Sequence, residues 1–197
     1  MKKISFQARF LKRIFRHFIK PMLENAGGIE DIRSASRGEG LLSRYLSRFM
    51  PKPDETVMID HIYAEWQGKS DAKGALLYLH GGAFVIGSPK SHRGLVKNIT
   101  KFASFRALSI DYRLAPEHQF PAALEDAEKA YDWLLENGYS PKNIAVAGDS
   151  AGGCLTLALL LKLKEVKKPL PSCAVTMSPW TDLTGSGASV RLIYLIE

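Results

Sequence analysis

Past Pro53 the chain alternates short apolar runs with stretches of helical spacing, and this alternation restricts its possible folds more than any other feature. Ala75-Leu-Leu-Tyr-Leu79, Ala107-Leu-Ser-Ile110, Ile144-Ala-Val-Ala147 and Cys173-Ala-Val-Thr-Met177 have the length and content of buried strands. Between them, residues 91–102 carry Leu95, Val96, Ile99 and Phe102 at helical spacing. Pro121 opens a helix with Leu124, Ala127, Tyr131, Leu134 and Leu135 on one side, and Asn137-Gly138 closes it. Residues 152–164 read as a further helix, and residues 56–64 alternate like one half-buried strand. Buried strands joined by helical crossovers predict an α/β fold whose mostly parallel sheet is covered by helices on both faces.

The 197 residues, 46% hydrophobic and 24% charged, match a soluble globular domain with a sizeable core. The net charge of +7 is confined to residues 1–50, which hold 11 Lys/Arg against 4 Asp/Glu, whereas residues 51–197 hold 16 of each. A neutral body argues against a nucleic-acid-binding face. Within the leader, residues 6–22 read as an amphipathic helix with Phe6, Phe10, Ile14 and Phe18 at four-residue steps, and residues 41–49 as a second helix. The basic helix has the character of one that lies on an anionic membrane, but packing of its Phe/Ile face onto the neighbouring domain is the plainer expectation. Arg and Lys interrupt its apolar residues throughout, so it lacks the core of a signal peptide. Cys154 and Cys173 lie in apolar segments where small buried thiols are common; no disulfide framework or metal cluster is suggested, and a reducing cytoplasm is the simplest home.

Gly148-Asp149-Ser150-Ala151-Gly152 is a G-x-S-x-G sequence with a buried strand running in and an apolar helix running out. That context marks a nucleophile elbow, whose glycines leave room where strand and helix crowd the turn. The helix aims its first N–H groups and the positive end of its dipole at charge developing near Ser150. His80-Gly81-Gly82-Ala83 follows another buried strand, and two glycines let a backbone approach an acyl carbon and point amides inward. The expectation is an oxyanion hole drawn from Gly81, Gly82, Ala83 and the N–H of Ala151. His80 sits inside the turn that must present those amides, so it is expected to brace the loop. Asp149 precedes the nucleophile and is expected to brace the elbow.

His80-Gly-Gly-Ala-Phe84, Asp111-Tyr-Arg-Leu-Ala-Pro-Glu-His118, Phe120-Pro-Ala-Ala-Leu-Glu-Asp126, Gly148-Asp-Ser-Ala-Gly-Gly153 and Ser178-Pro-Trp-Thr-Asp182 follow one another in the order and spacing of the hormone-sensitive-lipase family of bacterial esterases. The chain resembles that family from about residue 56 to residue 187, with Ala83 where the family often has Gly. The resemblance implies an α/β-hydrolase fold and a serine carboxylesterase acting on short- to medium-chain acyl esters, without cofactor or metal. It divides the chain into a helical cap segment at 1–52, an incomplete hydrolase core at 53–188 and an atypical tail at 189–197. Arg113, Glu117 and Asp126 resemble a scaffold tying a surface loop to a helix, and Asp182 falls in a block the family uses structurally. His17, His61, His92 and His118 are expected as surface or loop residues.

In this fold the triad runs Ser, then Asp or Glu, then His. Residues 151–197 contain no His, and their carboxylates are Glu165, Asp182 and Glu197. The tail Val190-Arg-Leu-Ile-Tyr-Leu-Ile-Glu197 turns apolar and departs from the family, as an out-of-frame or truncated product would. The expectation is therefore a fold cut after about the sixth strand, with residues 173–177 left as a sheet edge and hydrolysis strongly impaired. A non-catalytic acyl-binding module and a membrane-associated fragment are the competing readings.

Overall fold

A computed structural model describes residues 51–184 and Ser186, all within Phe49–Glu197, the second of two compact units of the chain. The helices expected over residues 6–22 and 41–49, and the tail at 189–197, lie outside the described residues.

Six strands form one sheet: β1 (Glu55–Ile59), β2 (Ile62–Gln67), β3 (Gly74–Leu79), β4 (Phe105–Ile110), β5 (Ile144–Asp149) and β6 (Cys173–Met177), in the spatial order β1-β2-β4-β3-β5-β6. β4, β3, β5 and β6 run parallel, whereas β1–β2 and β2–β4 pair antiparallel. The single strand expected over residues 56–64 is thus a hairpin. Asp60 and His61 form its turn, with Ile59 opposite Ile62 and Asp60 in the left-handed region at φ 53°. Two turn residues leave the odd–even alternation unbroken, so the pattern continues through the reversal.

Three helices cross between the parallel strands: α1 (Pro89–Phe102), α2 (Ala122–Glu136) and α3 (Ala151–Glu165). α1 begins two residues before its apolar periodicity, because Ser88 and Ser91 form a reciprocal capping box and Pro89 takes the first helical position, where a missing N–H has no consequence. Leu77, Leu79, Leu108, Ile110, Ile144 and Val146 pack with Tyr131, Leu134, Leu155 and Leu159 of α2 and α3. Leu76, Tyr78, Ala107, Ala145 and Ala147 pack on the other face with Val96 of α1. The α1 face also buries charge: Glu65 of β2, 1% exposed, pairs with Arg93 of α1 and accepts the Tyr63 hydroxyl at 3.0 Å. Arg113 joins the loop after β4 to α2 by donating to Asp126 through its backbone N–H at 2.8 Å and its Nε at 3.0 Å, and His61 meets the same carboxylate at 3.0 Å.

Among the described residues β6 lies at one end of the sheet, and its first three residues are exposed. Cys173 is accordingly exposed and Cys154 half-buried, unlike the buried thiols expected from their apolar neighbours. No helix among the described residues is long and apolar enough to cross a membrane.

Leu77 lies fully buried in β3, between β4 and β5. Leu77→Ala should remove about 2–5 kcal/mol of stability through lost transfer energy and an unfilled cavity. Urea unfolding checks this, and a loss below 1 kcal/mol would contradict the packing described.

Candidate active site

β5 runs into Ser150 and α3 leaves it at Ala151. Ser150 has φ 51° and ψ −117°, a conformation costing an L-residue roughly 1–2 kcal/mol. Three backbone bonds hold it there. The Ser150 N–H donates to the Met177 carbonyl at 2.9 Å, and the Ser150 carbonyl accepts from Cys154 at 3.1 Å and from Trp180 at 3.0 Å. The flanking glycines are required by close approach: a Cβ on Gly148 would overlap the Gly152 carbonyl, and one on Gly152 the Leu79 carbonyl. The result is an exposed serine at the head of α3.

Leu79 of β3 pairs with Gly148 of β5, so the turns after these strands leave the same end of the sheet side by side. In the β3 turn Gly82 has φ 133°, and its carbonyl accepts from Val85 at 3.0 Å and Ile86 at 2.9 Å. Ala83 and Phe84 follow in the left-handed region at φ 54° and 63°. The His80 ring stacks on Tyr112 at 4.2 Å, its Nδ1 donates to the Gly81 carbonyl at 2.9 Å, and Tyr112 donates to the His80 carbonyl at 2.6 Å. His80 therefore lies inside the turn as a brace, 1% exposed.

Asp149 links the two turns. Its Oδ1 accepts from the Gly81 N–H at 3.0 Å and from the Tyr78 hydroxyl at 2.7 Å. Partial burial raises the carboxyl's pKa, but the bonds from His92, Tyr78 and Gly81 outweigh that and hold it down at about 2. The Gly81 amide, expected among the oxyanion donors, is thus engaged by Asp149. Among the described residues, no hydrogen-bond partner faces the amides of Gly82 and Ala83, and Ala151 in the first turn of α3 has no intrahelical acceptor.

His92 departs from the surface or loop position expected of it: it lies on α1, with Nε2 3.5 Å from Asp149 Oδ2. No periodicity or motif in the sequence points to this contact. Asp182 is engaged in an exposed turn, accepting from the N–H groups of Thr184 and Ser186 at 3.0 Å each.

A cavity of about 250 Å³ opens beside α3, lined mostly by apolar side chains including Phe84, Leu124, Cys154, Leu155, Ala158 and Leu183. Phe84 follows the β3 turn directly and Cys154 lies one helical turn past Ser150. A larger groove of about 880 Å³, lined by Lys69, Lys73, Lys97 and Lys101, lies at the opposite end of the parallel strands, away from Ser150.

A family model described as alpha/beta hydrolase fold matches residues 76–193. The solved structure of an esterase from the bacterial hormone-sensitive lipase family superposes with a TM-score of 0.81 at 35% identity, covering 100% of this chain and 65% of that one. The chain belongs to the α/β-hydrolase fold family, in its hormone-sensitive-lipase branch. A structure of EstE5 soaked by p-nitrophenyl butyrate has a TM-score of 0.78 at 34% identity and covers 98% of this chain and 64% of that one. An acetyl-hydrolase of Streptomyces hygroscopicus is 46% identical over 138 residues, 70% of this chain and 46% of the relative. The chain thus spans less than half the length of that relative.

Membership in the hormone-sensitive-lipase branch gives the two turns a common setting, since both leave the C-terminal ends of neighbouring parallel strands. Burial disfavours the imidazolium of His80 and lowers its pKa to about 4, below the ordinary value near 6.5. Between those values the unfolded chain binds a proton that the folded chain refuses, so stability rises with pH across the window and is lost as pH falls through it. Roughly 2 kcal/mol should be lost between pH 7 and pH 5 through this group. His80→Asn keeps a donor near Nδ1 without titrating and should flatten that part of the profile. Equal losses in both proteins, measured by urea midpoints at the two pH values, would reassign the effect.

Proposed function

We propose that this chain carries the nucleophile and oxyanion hole of a serine carboxylesterase acting on short- to medium-chain acyl esters. Ser150 Oγ attacks the ester carbonyl carbon, and the amides of Gly82, Ala83 and Ala151 receive the oxygen as it becomes an oxyanion. Collapse expels the alcohol and leaves an acyl group on Ser150, which water then removes. The cavity beside α3 offers apolar walls to one arm of the ester. The observation that carries this reading is Ser150 in the left-handed region between β5 and α3, next to a turn tied to it through Asp149.

Among the described residues, no base is placed for proton transfer. A serine hydroxyl is a weak nucleophile until a base takes its proton. His80 is braced and neutral, His92 faces Asp149, and residues 151–197 hold no His. By analogy with serine protease triads, lack of the base costs on the order of 10⁴–10⁶ in rate. These 197 residues alone are expected to turn over p-nitrophenyl butyrate more slowly than about 1 s⁻¹, the low end for ordinary enzymes. Faster steady turnover, abolished by Ser150→Ala, would show that a base is present after all.

The apolar cavity also supports a second reading, an acyl-ligand-binding module without chemistry. Incubation with a fluorophosphonate separates the two. Stoichiometric labelling that Ser150→Ala eliminates supports the nucleophile, whereas saturable binding of a fatty acid without labelling supports the module.

A further inference from the structure

We propose that His92 is a positioning residue for the oxyanion turn, acting through the Asp149 carboxylate on the Gly81 amide. The proposal rests on the ester-hydrolase reading of that turn. Tyr78 and Gly81 both donate to Asp149 Oδ1, at 2.7 and 3.0 Å. Oδ2 has a different partner, Nε2 of His92 at 3.5 Å. The carboxylate is 27% exposed, so without His92 its second oxygen faces water and the group can rotate away from Gly81. The backbone bond to Gly81 then loses the geometry that fixes the start of the turn, directly before the free amides of Gly82 and Ala83.

The imidazole is itself held in place. Its Nδ1 lies 2.9 Å from Ser91 Oγ and 3.3 Å from the Ser88 carbonyl, the two residues of the α1 capping box. The ring also lies beside Tyr78, with centroids 6.3 Å apart, and His80, at 5.6 Å. The head of α1 is thus joined through one imidazole to the carboxylate that bridges β5 and the β3 turn. At 3.5 Å the contact is an ion-pair distance more than a tight hydrogen bond, which sets a moderate expectation for its removal.

The test is amide hydrogen exchange on the full 197-residue chain labelled with ¹⁵N-glycine, comparing His92→Leu and His92→Gln with the parent. Leu removes the donor, whereas Gln restores an N–H near the position of Nε2. His92→Leu should speed exchange at Gly81 about tenfold while Gly148 in β5 keeps its rate, and His92→Gln should return Gly81 to within about threefold of the parent. Unchanged exchange at Gly81 in His92→Leu would overturn the proposal. Equal acceleration at Gly81 and Gly148, or failure of Gln to restore, would overturn it as well, since those results describe general loosening. Fluorophosphonate labelling of Ser150 in the same proteins separates the two claims. A Gly81 response with saturable fatty-acid binding and no labelling sinks the esterase reading and keeps the coupling; labelling without a Gly81 response does the reverse.

Discussion

The end of β3 and the first turn of α3 meet through bare backbone, and the site depends on that contact. The Leu79 carbonyl lies where a side chain on Gly152 would begin, and the Gly152 carbonyl where one on Gly148 would. Any Cβ at either position would push α3 away from the strand. That displacement would carry Ser150 and the Ala151 amide with it, because both sit at the helix head. It would also separate Asp149 from Gly81, a bond of 3.0 Å between the two turns. Ser150 pays a conformational penalty in this arrangement, and the donors and acceptors of Met177, Cys154 and Trp180 hold it there. The two glycines therefore fix strand, helix and the bend at Ser150 through a single steric fact.

Asp149 shows how a charge is tolerated in such a crowded place. Withdrawing a carboxylate from water is unfavourable unless donors replace the lost hydration. Tyr78, Gly81 and His92 supply them from β3, its following turn and α1, so the group joins three elements. His80 solves the opposite problem. It is buried, pushed toward its neutral form, and used as a flat surface against Tyr112 and as a donor to the Gly81 carbonyl. One residue of the turn is thus held by a carboxylate at its N–H and by an imidazole at its carbonyl. That double hold is why Gly81 works as an anchor for the amides that follow.

Much of this was legible in the residues, for local reasons. β3, β4 and β5 are short runs of mostly apolar residues buried on both faces, and both site turns directly follow such runs, so motif and strand end adjoin in the sequence. What escaped depends on tertiary placement. The turn at Asp60-His61 kept the parity of the alternation and hid a hairpin. Glu65 falls on a polar parity of β2, but α1 covers that face and pairs Arg93 with it. The apolar content of residues 173–177 identified a strand without giving its exposure, which left Cys173 outside the core. Among the four consecutive residues 80–83, no pattern reveals which amide is already bonded. His92 was out of reach for the same reason, since its contact depends on how α1 crosses the sheet.

On the proposed reading, the two halves of ester hydrolysis make different demands on a chain, and the described residues meet them unequally. A nucleophile in a sharp bend and a set of free amides are backbone constructions, formed where β3 and β5 lie side by side. Their parts come from residues 79–84 and 148–154, which the sheet brings side by side. Proton transfer needs a side chain aimed at one oxygen, and the described histidines have other placements: His61 on Asp126, His80 within the turn, His92 against Asp149 and His118 at the cavity beside α3. On the proposed reading, the amides of Gly82, Ala83 and Ala151 can stand ready for an oxyanion while none of the described histidines is aimed at the serine beside them. The distinction is chemical, and it makes covalent capture of Ser150 and steady turnover two separate tests of the proposed site.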